Sequence, residues 1–346
     1  MTRPLRVALV GGGQMGRLHA RVLTELETVE LTAVVDPDPA AERLAYLARA
    51  DRLASVDELL GGHEVDAAVV AVPTEEHASV ATQLVESGVP TLVEKPIAAT
   101  VDEALGLIEA ARRASVPLAV GHVEWFNPAV RALDERLREN ALGRVFQIHT
   151  RRLSPFPVRV ADAGVALDLA THDLDVMCRL AGNPVRVSAE LDRRAHRRHE
   201  DLLVANLRFD SGVIGLLETN WLTPTKIRQL TVTGERGMFV VDYLAQHLTL
   251  YENAHASERW YTLDVFDGVT EGNVTRYAIA RVEPLRAQME SFAAAVRGDA
   301  PVTVTGEQGM RVLALALATV RAGETGETVV LDGAADGRPT VTPSGG

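Results

Sequence analysis

The sequence is poor in cysteine, and Cys178 is the only one among 346 residues. A single cysteine cannot form a disulfide within the chain, and no Cys/His cluster has the spacing of a zinc site, so no metal is expected. No apolar run approaches the roughly 20 residues that span a bilayer. The first apolar stretch follows Met1 closely and lacks the small-residue cleavage site of a signal peptide. These absences predict a cytoplasmic protein without a membrane partner.

Positive charge is also scarce. Lysine and arginine number 35 against 47 aspartates and glutamates, which gives a formal net charge of -12. Affinity for nucleic acid comes largely from lysines and arginines that neutralise phosphates, so no nucleic-acid partner is expected. A local basic pocket for one small anionic ligand is compatible with this charge.

The first 122 residues alternate short apolar runs with helical patterns. The runs are continuously apolar, which is typical of strands buried on both faces of a sheet. They predict an α/β Rossmann domain over residues 1–122, built on a doubly wound parallel sheet. The predicted strands are Leu5–Val10, Leu31–Val35, Ala67–Val72, Thr91–Val93 and Leu118–Val120. The predicted helices are Gln14–Leu26, Ala40–Ala50, His77–Ser87 and Val101–Ala114.

Residues 123–333 have a different pattern, in which long strand-like runs follow one another without helices between them. Such an order predicts an α+β domain with a large, mostly antiparallel open sheet. Asp210-Ser211-Gly212 is a hairpin signal between two of these runs. Helices are predicted at Pro128–Arg138, Leu167–Leu180, Pro284–Val296 and Gly306–Val320. Residues 334–346 are predicted to be a flexible tail.

A glycine-rich segment, GGGQMG at positions 11–16, joins the first strand to the first helix. It matches the dinucleotide-binding pattern G-x-G-x-x-G. Gly11 allows the tight turn, Gly13 lets the backbone approach a pyrophosphate, and Gly16 lets helix and strand pack closely. Asp36 lies at the end of the second strand, where it is expected to accept hydrogen bonds from ribose hydroxyls and to repel a 2′-phosphate. The segment therefore predicts NAD rather than NADP, and a flavin is the less favoured alternative.

Four further positions are candidates for cofactor contact. Gln14 and Met15 lie within the glycine-rich segment at the start of the helix. Pro73 and Thr74 follow the third strand, and ligands of such sheets collect outside the carboxyl ends of the strands. A simple turn is an equal alternative for Thr74.

The order of motifs along the chain resembles the Gfo/Idh/MocA oxidoreductase family. Glu94-Lys95-Pro96 follows the fourth strand, Gly121-His122 follows the fifth, and DLATHD occupies positions 168–173. Together with the glycine-rich segment, they cover most of the chain. The resemblance implies an enzyme that oxidises a secondary hydroxyl of a sugar with NAD.

The reacting groups follow from the resemblance. Lys95 can stabilise a developing alkoxide, and a proton acceptor must lie within hydrogen-bond reach of the reacting hydroxyl. The resemblance assigns Asp168 and His172 to the substrate pocket, with His172 as proton acceptor and Asp168 as its orienter or as a hydroxyl ligand. Whether Lys95 or His172 is the immediate acceptor stays open. Glu94 is expected either to bind backbone or the cofactor ribose, or to support Lys95.

Two segments resemble the UDP-N-acetylglucosamine 3-dehydrogenases of this family, and they place further residues at the substrate. These segments are GHVEWFNP at 121–128 and RRLSPFPVR at 151–159. The arginines suit planar contact with phosphate or carboxylate, and a solvated strand face is their equal alternative. Trp125 and Ser154 depart from the pattern, which has Arg and Gly there, and Trp125 instead offers a stacking face. The expected substrate-binding residues are Lys95, His122, Glu124, Trp125, Asn127, Arg151, Arg152, Arg159, Asp168 and His172.

The preferred hypothesis is oxidation at C3 of a nucleotide-activated amino sugar to a 3-keto sugar. One alternative is a dehydrogenase of a free polyol or an unactivated amino sugar in the same family. Another is a non-catalytic NAD-binding sensor or scaffold, which would have no need of Lys95, Asp168 and His172. The resemblance also implies a homo-oligomer, a dimer or a tetramer.

Overall fold

The computed structural model describes residues 3–157, 163–196, 198–255 and 269–331. The chain divides into two compact units. The described residues of the first unit are 3–123 and 283–314, and those of the second lie within 124–282 and 315–331. Arg159 and the predicted tail at 334–346 lie outside the described residues. No helix within the described ranges is long and apolar enough to cross a membrane.

The first unit contains the parallel sheet that the sequence predicts. Its strands are β1 (Leu5–Val10), β2 (Val29–Val35), β3 (Asp51–Leu53), β4 (Ala67–Val70), β5 (Thr91–Val93) and β6 (Leu118–Val120). Its first helices are α1 (Gln14–Glu25), α2 (Glu42–Ala48), α3 (Val56–Gly62), α4 (Thr74–Glu86) and α5 (Val101–Ala114). The strand order is β3-β2-β1-β4-β5-β6, and every pairing is parallel. The predicted Rossmann architecture is confirmed.

Burial on both faces explains why the central strands are continuously apolar. All four residues of β4 are buried, and Ala8 and Leu9 of β1 are completely inaccessible to solvent. The helices begin where polar side chains satisfy free N–H groups. At the start of α5, Thr100 Oγ1 accepts from the N–H of Glu103 (3.2 Å) and the Glu103 carboxylate accepts from the N–H of Thr100 (2.9 Å). This reciprocal capping interaction fixes the residue at which α5 begins.

Two elements of the first unit, the strand β3 and the helix α3, were missing from the prediction. β3 is only three residues long, lies at the edge of the sheet, and begins with the exposed Asp51. A short edge strand carries little apolar signal, since one side of it faces no neighbour. α3 follows a Ser55 cap, whose hydroxyl accepts from the N–H of Glu58 at 3.2 Å. The segment Val56–Gly62 ends in two glycines, which weaken its helical pattern.

Helix α8 (Pro284–Arg297) contributes to the core of the first unit, although it follows the predicted boundary at residue 122. Met289 is 2% exposed and Phe292 is 6% exposed, and both lie in the apolar cluster that includes Leu9 and Leu23. Its apolar face therefore completes the packing around β1 and α1.

The second unit contains a nine-stranded sheet. Its strands are β7 (Val145–Leu153), β8 (Pro184–Asp192), β9 (Leu202–Phe209), β10 (Ile214–Asn220), β11 (Ile227–Gly234), β12 (Gly237–Asp242), β13 (His247–His255), β14 (Val269–Tyr277) and, after α8 in the chain, β15 (Val329–Val330). The order is β14-β13-β12-β11-β7-β10-β9-β8-β15. Only the β7–β10 pairing is parallel among these described strands, so the predicted mostly antiparallel sheet is confirmed. Helices α6 (Pro128–Arg138) and α7 (Thr171–Ala181) lie in this unit, and α9 (Gly306–Thr325) divides between the units at Ala314.

The hairpin between β9 and β10 has the geometry that its sequence predicts. Gly212 has φ +84°, a conformation that glycine adopts without steric cost. The N–H of Gly212 donates to the carbonyl of Phe209 at 2.9 Å, which closes the turn. Along β9, buried and accessible residues then alternate, as expected of a strand with one covered face.

The packing of Gly16 predicts a large loss of stability in Gly16→Ala. A Cβ at this position would lie 1.9 Å from the carbonyl oxygen of Gly11, so α1 or the preceding turn must shift. We expect a loss of about 3 kcal/mol or more in the free energy of unfolding, measured by urea denaturation. Gly106→Ala is the matched control, because this exposed residue of α5 has open space around it and should gain up to about 1 kcal/mol. Equal stability of the two variants would contradict this account of the turn.

Candidate functional site

The glycine-rich turn after β1 has the shape that a dinucleotide site needs. Gly11 has φ +102°, and a Cβ there would lie 2.5 Å from the carbonyl oxygen of Ala71. At Gly13 a Cβ would meet nothing within 4 Å, and the residue is exposed at the start of α1. The turn therefore leaves open space directly before a helix N-terminus, where free N–H groups and the helix dipole favour phosphate. Gln14 and Met15, the first residues of α1, are exposed beside it.

Asp36 lies next to this turn because β1 and β2 are parallel and end at the same edge. Its Oδ2 accepts from the N–H of Gly12 at 2.6 Å, and its Oδ1 accepts from the N–H of Asp38 at 2.8 Å. These bonds hold the carboxylate against the turn. Pro73 and Thr74 follow β4 at the same edge, where Thr74 begins α4. The structure thus brings these predicted cofactor residues together within the first unit.

A buried hydrogen bond between Glu94 and His19 lies next to Lys95, at the carboxyl end of β5. Glu94 is 6% exposed, and its Oε1 lies 2.7 Å from Nε2 of His19, which is completely buried in α1. The other carboxylate oxygen accepts from the backbone N–H of Lys95 at 3.1 Å. Burial alone would raise the pKa of the Glu94 carboxyl, but the hydrogen bond from His19 and the positive charge of Lys95 lower that pKa below its ordinary value of 4.5. Glu94 is therefore a buried carboxylate that joins α1 to the backbone of Lys95.

Other residues of the first unit contact the segment that contains Glu94, Lys95 and Pro96. The Lys95–Pro96 peptide bond is cis. His77, within α4, has Nδ1 at 2.7 Å from the carbonyl oxygen of Pro96 and Nε2 at 3.0 Å from that of Val72. A Cβ at Gly121 would lie 3.0 Å from the Glu94 carboxylate, so a glycine after β6 makes room for it. His122, the next residue and a predicted substrate residue, is 1% exposed.

In the second unit, Asp168 and His172 lie near the start of α7. A π-helical turn, Ala166–Ala170, carries Asp168 and leads directly into α7, which carries His172. Both residues are partly buried. Such turns are rare and are frequent at functional sites. Glu200 fixes this helix start, because its Oε1 accepts from the N–H of Ala166 at 3.0 Å.

Arg152, a predicted substrate residue, is bound to two carboxylates of the second unit. This side chain is 3% exposed and binds Asp173 through two bonds, Nε to Oδ2 at 2.7 Å and Nη2 to Oδ1 at 3.0 Å. Its Nη1 donates to Glu124 at 2.8 Å, so Glu124 is also engaged. Burial alone would lower the pKa of the Arg152 guanidinium. The negative charges of Asp173 and Glu124 outweigh this effect and raise that pKa above its ordinary value. Arg151 binds Glu218 at 2.8 Å on the accessible face of the sheet.

Two other predicted substrate residues have packing roles. Trp125 is 4% exposed, and the guanidinium groups of Arg131 and Arg179 lie 4.8 and 4.7 Å from its ring centroid. The ring therefore packs against two cations of the same unit. Asn127 is 2% exposed and caps α6, since its Oδ1 accepts from the N–H of Ala129 at 3.1 Å. Arg159 lies outside the described residues.

Sequence reasoning missed several residues of these sites. His19, Glu200 and Asp173 act through partners that lie 75, 34 and 21 positions away in the chain. Two of them had a local signal. Asp173 ends the DLATHD motif, and His19 lies three positions after Gly16, on the same face of α1. The described residues contain no group of three or more His, Cys, Asp or Glu side chains that could hold a metal ion.

Both units match known family models. Residues 5–122 match the model described as the oxidoreductase family with an NAD-binding Rossmann fold, and residues 134–331 match the C-terminal alpha/beta domain of the same family. The chain belongs to the Gfo/Idh/MocA oxidoreductase family. The first unit is accordingly an NAD-binding Rossmann domain, and the resemblance inferred from the motifs is confirmed.

Several Gfo/Idh/MocA proteins are similar along most of their length. A UDP-N-acetylglucosamine 3-dehydrogenase of Acidithiobacillus ferrooxidans is 32% identical over 90% of this chain and 95% of the relative. A myo-inositol dehydrogenase of Streptomyces leeuwenhoekii is 37% identical over 67% of this chain and 75% of the relative. A solved structure of the Acidithiobacillus enzyme superposes with a TM-score of 0.82, at 29% identity, and covers 94% of this chain and 99% of its own.

The Glu94–His19 pair predicts a specific pH dependence of stability. Because the folded-state pKa of Glu94 lies below 4.5, the carboxylate stabilises the fold above about pH 4.5 and this contribution is lost as pH falls through the folded-state pKa. Glu94→Gln cannot titrate. The difference in unfolding free energy between wild type and Glu94→Gln should therefore shrink as pH falls below 4.5. Urea denaturation at a series of pH values measures it, and a difference that is constant with pH would contradict the assignment.

The Arg152–Asp173 pair predicts a large effect of removing one buried charge. Asp173→Asn leaves the guanidinium of Arg152 without its two-bond partner, and we expect a loss of about 3–5 kcal/mol in unfolding free energy. The control is Glu218→Gln, which breaks the more accessible Arg151 pair and should cost at most about 1 kcal/mol. Thermal or urea unfolding compares the two variants. Similar small losses would show that Arg152 is not held by Asp173 as described.

Proposed function

We propose that this protein is an NAD-dependent dehydrogenase that oxidises the C3 hydroxyl of a UDP-N-acetylglucosamine-type sugar to a 3-keto sugar. The observation that carries the proposal is the Glu94-supported Lys95 at the cofactor edge of the Rossmann sheet. It occurs in a chain that is 32% identical, over 90% of its length, to a UDP-N-acetylglucosamine 3-dehydrogenase. The two sequence segments that resemble such enzymes add support.

The first unit fits NAD as the cofactor. The open space at Gly13 and the adjoining N-terminus of α1 suit a pyrophosphate, and the Asp36 carboxylate suits ribose hydroxyls. A 2′-phosphate at Asp36 would place two anions in contact, which disfavours NADP. When bound, NAD supplies the acceptor for a hydride.

The remaining chemistry belongs to side chains of the protein. We assign Lys95 to stabilise the alkoxide that develops on the reacting hydroxyl, with Glu94 and His19 fixing its backbone. His172 accepts the hydroxyl proton and Asp168 orients His172 or binds a neighbouring hydroxyl. The π-helical turn and its Glu200 cap would set the spacing of these two side chains.

A free polyol or unactivated sugar is the second candidate substrate. It is supported by the 37% identity to a myo-inositol dehydrogenase, and by the engagement of Arg151 and Arg152 with carboxylates of the protein. The predicted homo-oligomer stays a prediction.

The proposal predicts NADH formation when the protein is incubated with NAD and UDP-N-acetylglucosamine. Lys95→Met should lose at least about 100-fold in kcat while still binding NAD, because general acid–base and charge-stabilising groups contribute on the order of 10²–10⁴-fold. Absorbance of NADH measures turnover, and fluorescence titration measures cofactor binding. Turnover of inositol but of no UDP-hexosamine would favour the second candidate. Equal behaviour of wild type and Lys95→Met would favour a sensor.

A further inference from the structure

One arginine of the second unit differs from those that the sequence analysis singled out. Arg228 of β11 lies directly opposite Arg152 of β7 in the antiparallel register. Directly opposed residues project from the same face of a sheet, so the two guanidinium groups are neighbours on the face that Asp173 covers. Arg152 is already bound to Asp173 and Glu124. Two of the carboxylates that act on Arg228, Asp173 and Glu124, are therefore already bound to Arg152.

Backbone contacts hold the Arg228 guanidinium in place. Its Nη1 donates to the carbonyl oxygens of Leu153 at 2.6 Å and Ile227 at 3.0 Å. Leu153 is the last residue of β7, so the group is anchored at the carboxyl end of that strand. Among the described residues, Arg228 forms no ion pair, and its Nε and Nη2 have no acceptor. Arg228 as a whole is partly exposed, so its side chain is not sealed inside the unit.

Charged groups of both signs surround Arg228. Burial lowers the pKa of its guanidinium, and the neighbouring charge of Arg152 acts in the same direction. The carboxylates that face it are Asp173, Glu124 and the predicted substrate residue Asp168. An anionic oxygen on Nε and Nη2 would satisfy both donors in the planar, two-bond geometry that arginine offers to phosphate.

We infer that Arg228 binds a phosphate oxygen of the substrate. This inference rests on the proposed function, in which the phosphate is part of the diphosphate of a nucleotide sugar. It gives Arg228 the anion-binding role that the sequence analysis expected of Arg151 and Arg152. It also accounts for a nucleotide-sugar substrate in a chain in which both of those arginines bind carboxylates of the protein.

The test uses Arg228→Gln, Arg228→Lys and the control Arg321→Gln, which removes an exposed arginine of α9 in the same unit. We expect Arg228→Gln to raise the KM for UDP-N-acetylglucosamine at least tenfold and to raise the inhibition constant of UDP by a similar factor. Its kcat should fall less than its KM rises, because we assign Arg228 to binding and give it no part in the proton or hydride transfer. Arg228→Lys should lie between wild type and Arg228→Gln, and Arg321→Gln should match wild type.

The results distinguish failure of the inference about Arg228 from failure of the proposed function. If wild type oxidises UDP-N-acetylglucosamine and Arg228→Gln keeps its KM and its UDP inhibition constant, the inference about Arg228 is overturned and the proposed function stands. If wild type neither oxidises any UDP-hexosamine nor is inhibited by UDP, the proposed function itself fails. A lower melting temperature in both Arg228 variants with unchanged UDP inhibition would assign the residue to structure alone, which also overturns the inference.

Discussion

Parallel strand pairing is the constraint on which the cofactor half of this protein depends. Because β1, β2, β4 and β5 run in the same direction, the segments that follow them meet at one edge of the sheet. The glycine turn, Asp36 and Lys95 are distant in sequence and share this edge for that reason alone. The buried Glu94–His19 pair then ties the helix after the turn to the backbone of Lys95. The pairing of the apolar strands thereby determines where these polar residues lie.

Buried charge organises the second unit in a comparable way. Arg152, Asp173 and Glu124 satisfy one another beside the helix that carries His172. Desolvating such groups is costly unless each is paired, and removal of one partner leaves a buried charge. Arg152 therefore joins β7 to α7 through Asp173, whereas Arg151 binds Glu218 of β10. The arginine with donors left over, Arg228, lies on a different strand.

The sequence predicts the architecture well because periodicity and turn chemistry are local. Continuous apolar runs, the glycine turn and the Asp-Ser-Gly hairpin each need only a few neighbouring residues, and all three are confirmed. β3 was missed because a three-residue edge strand has little apolar content. The packing of α8 with the first unit was missed because an apolar helix face does not specify which core it joins. Partners such as Asp173 and Glu200 depend on tertiary contacts, so residue type alone did not predict which carboxylate binds Arg152 or which side chain holds the start of the helix at Ala166.

The central claim is that a hydride leaves C3 of a UDP-N-acetylglucosamine-type sugar. The most direct measurement uses UDP-N-acetylglucosamine with deuterium at C3 and follows the label by mass spectrometry after incubation with NAD. The account predicts that the deuterium appears in the reduced nicotinamide and that the sugar product is a 3-ketone. Reduced nicotinamide without deuterium, or no reduction in the presence of bound NAD, would contradict it.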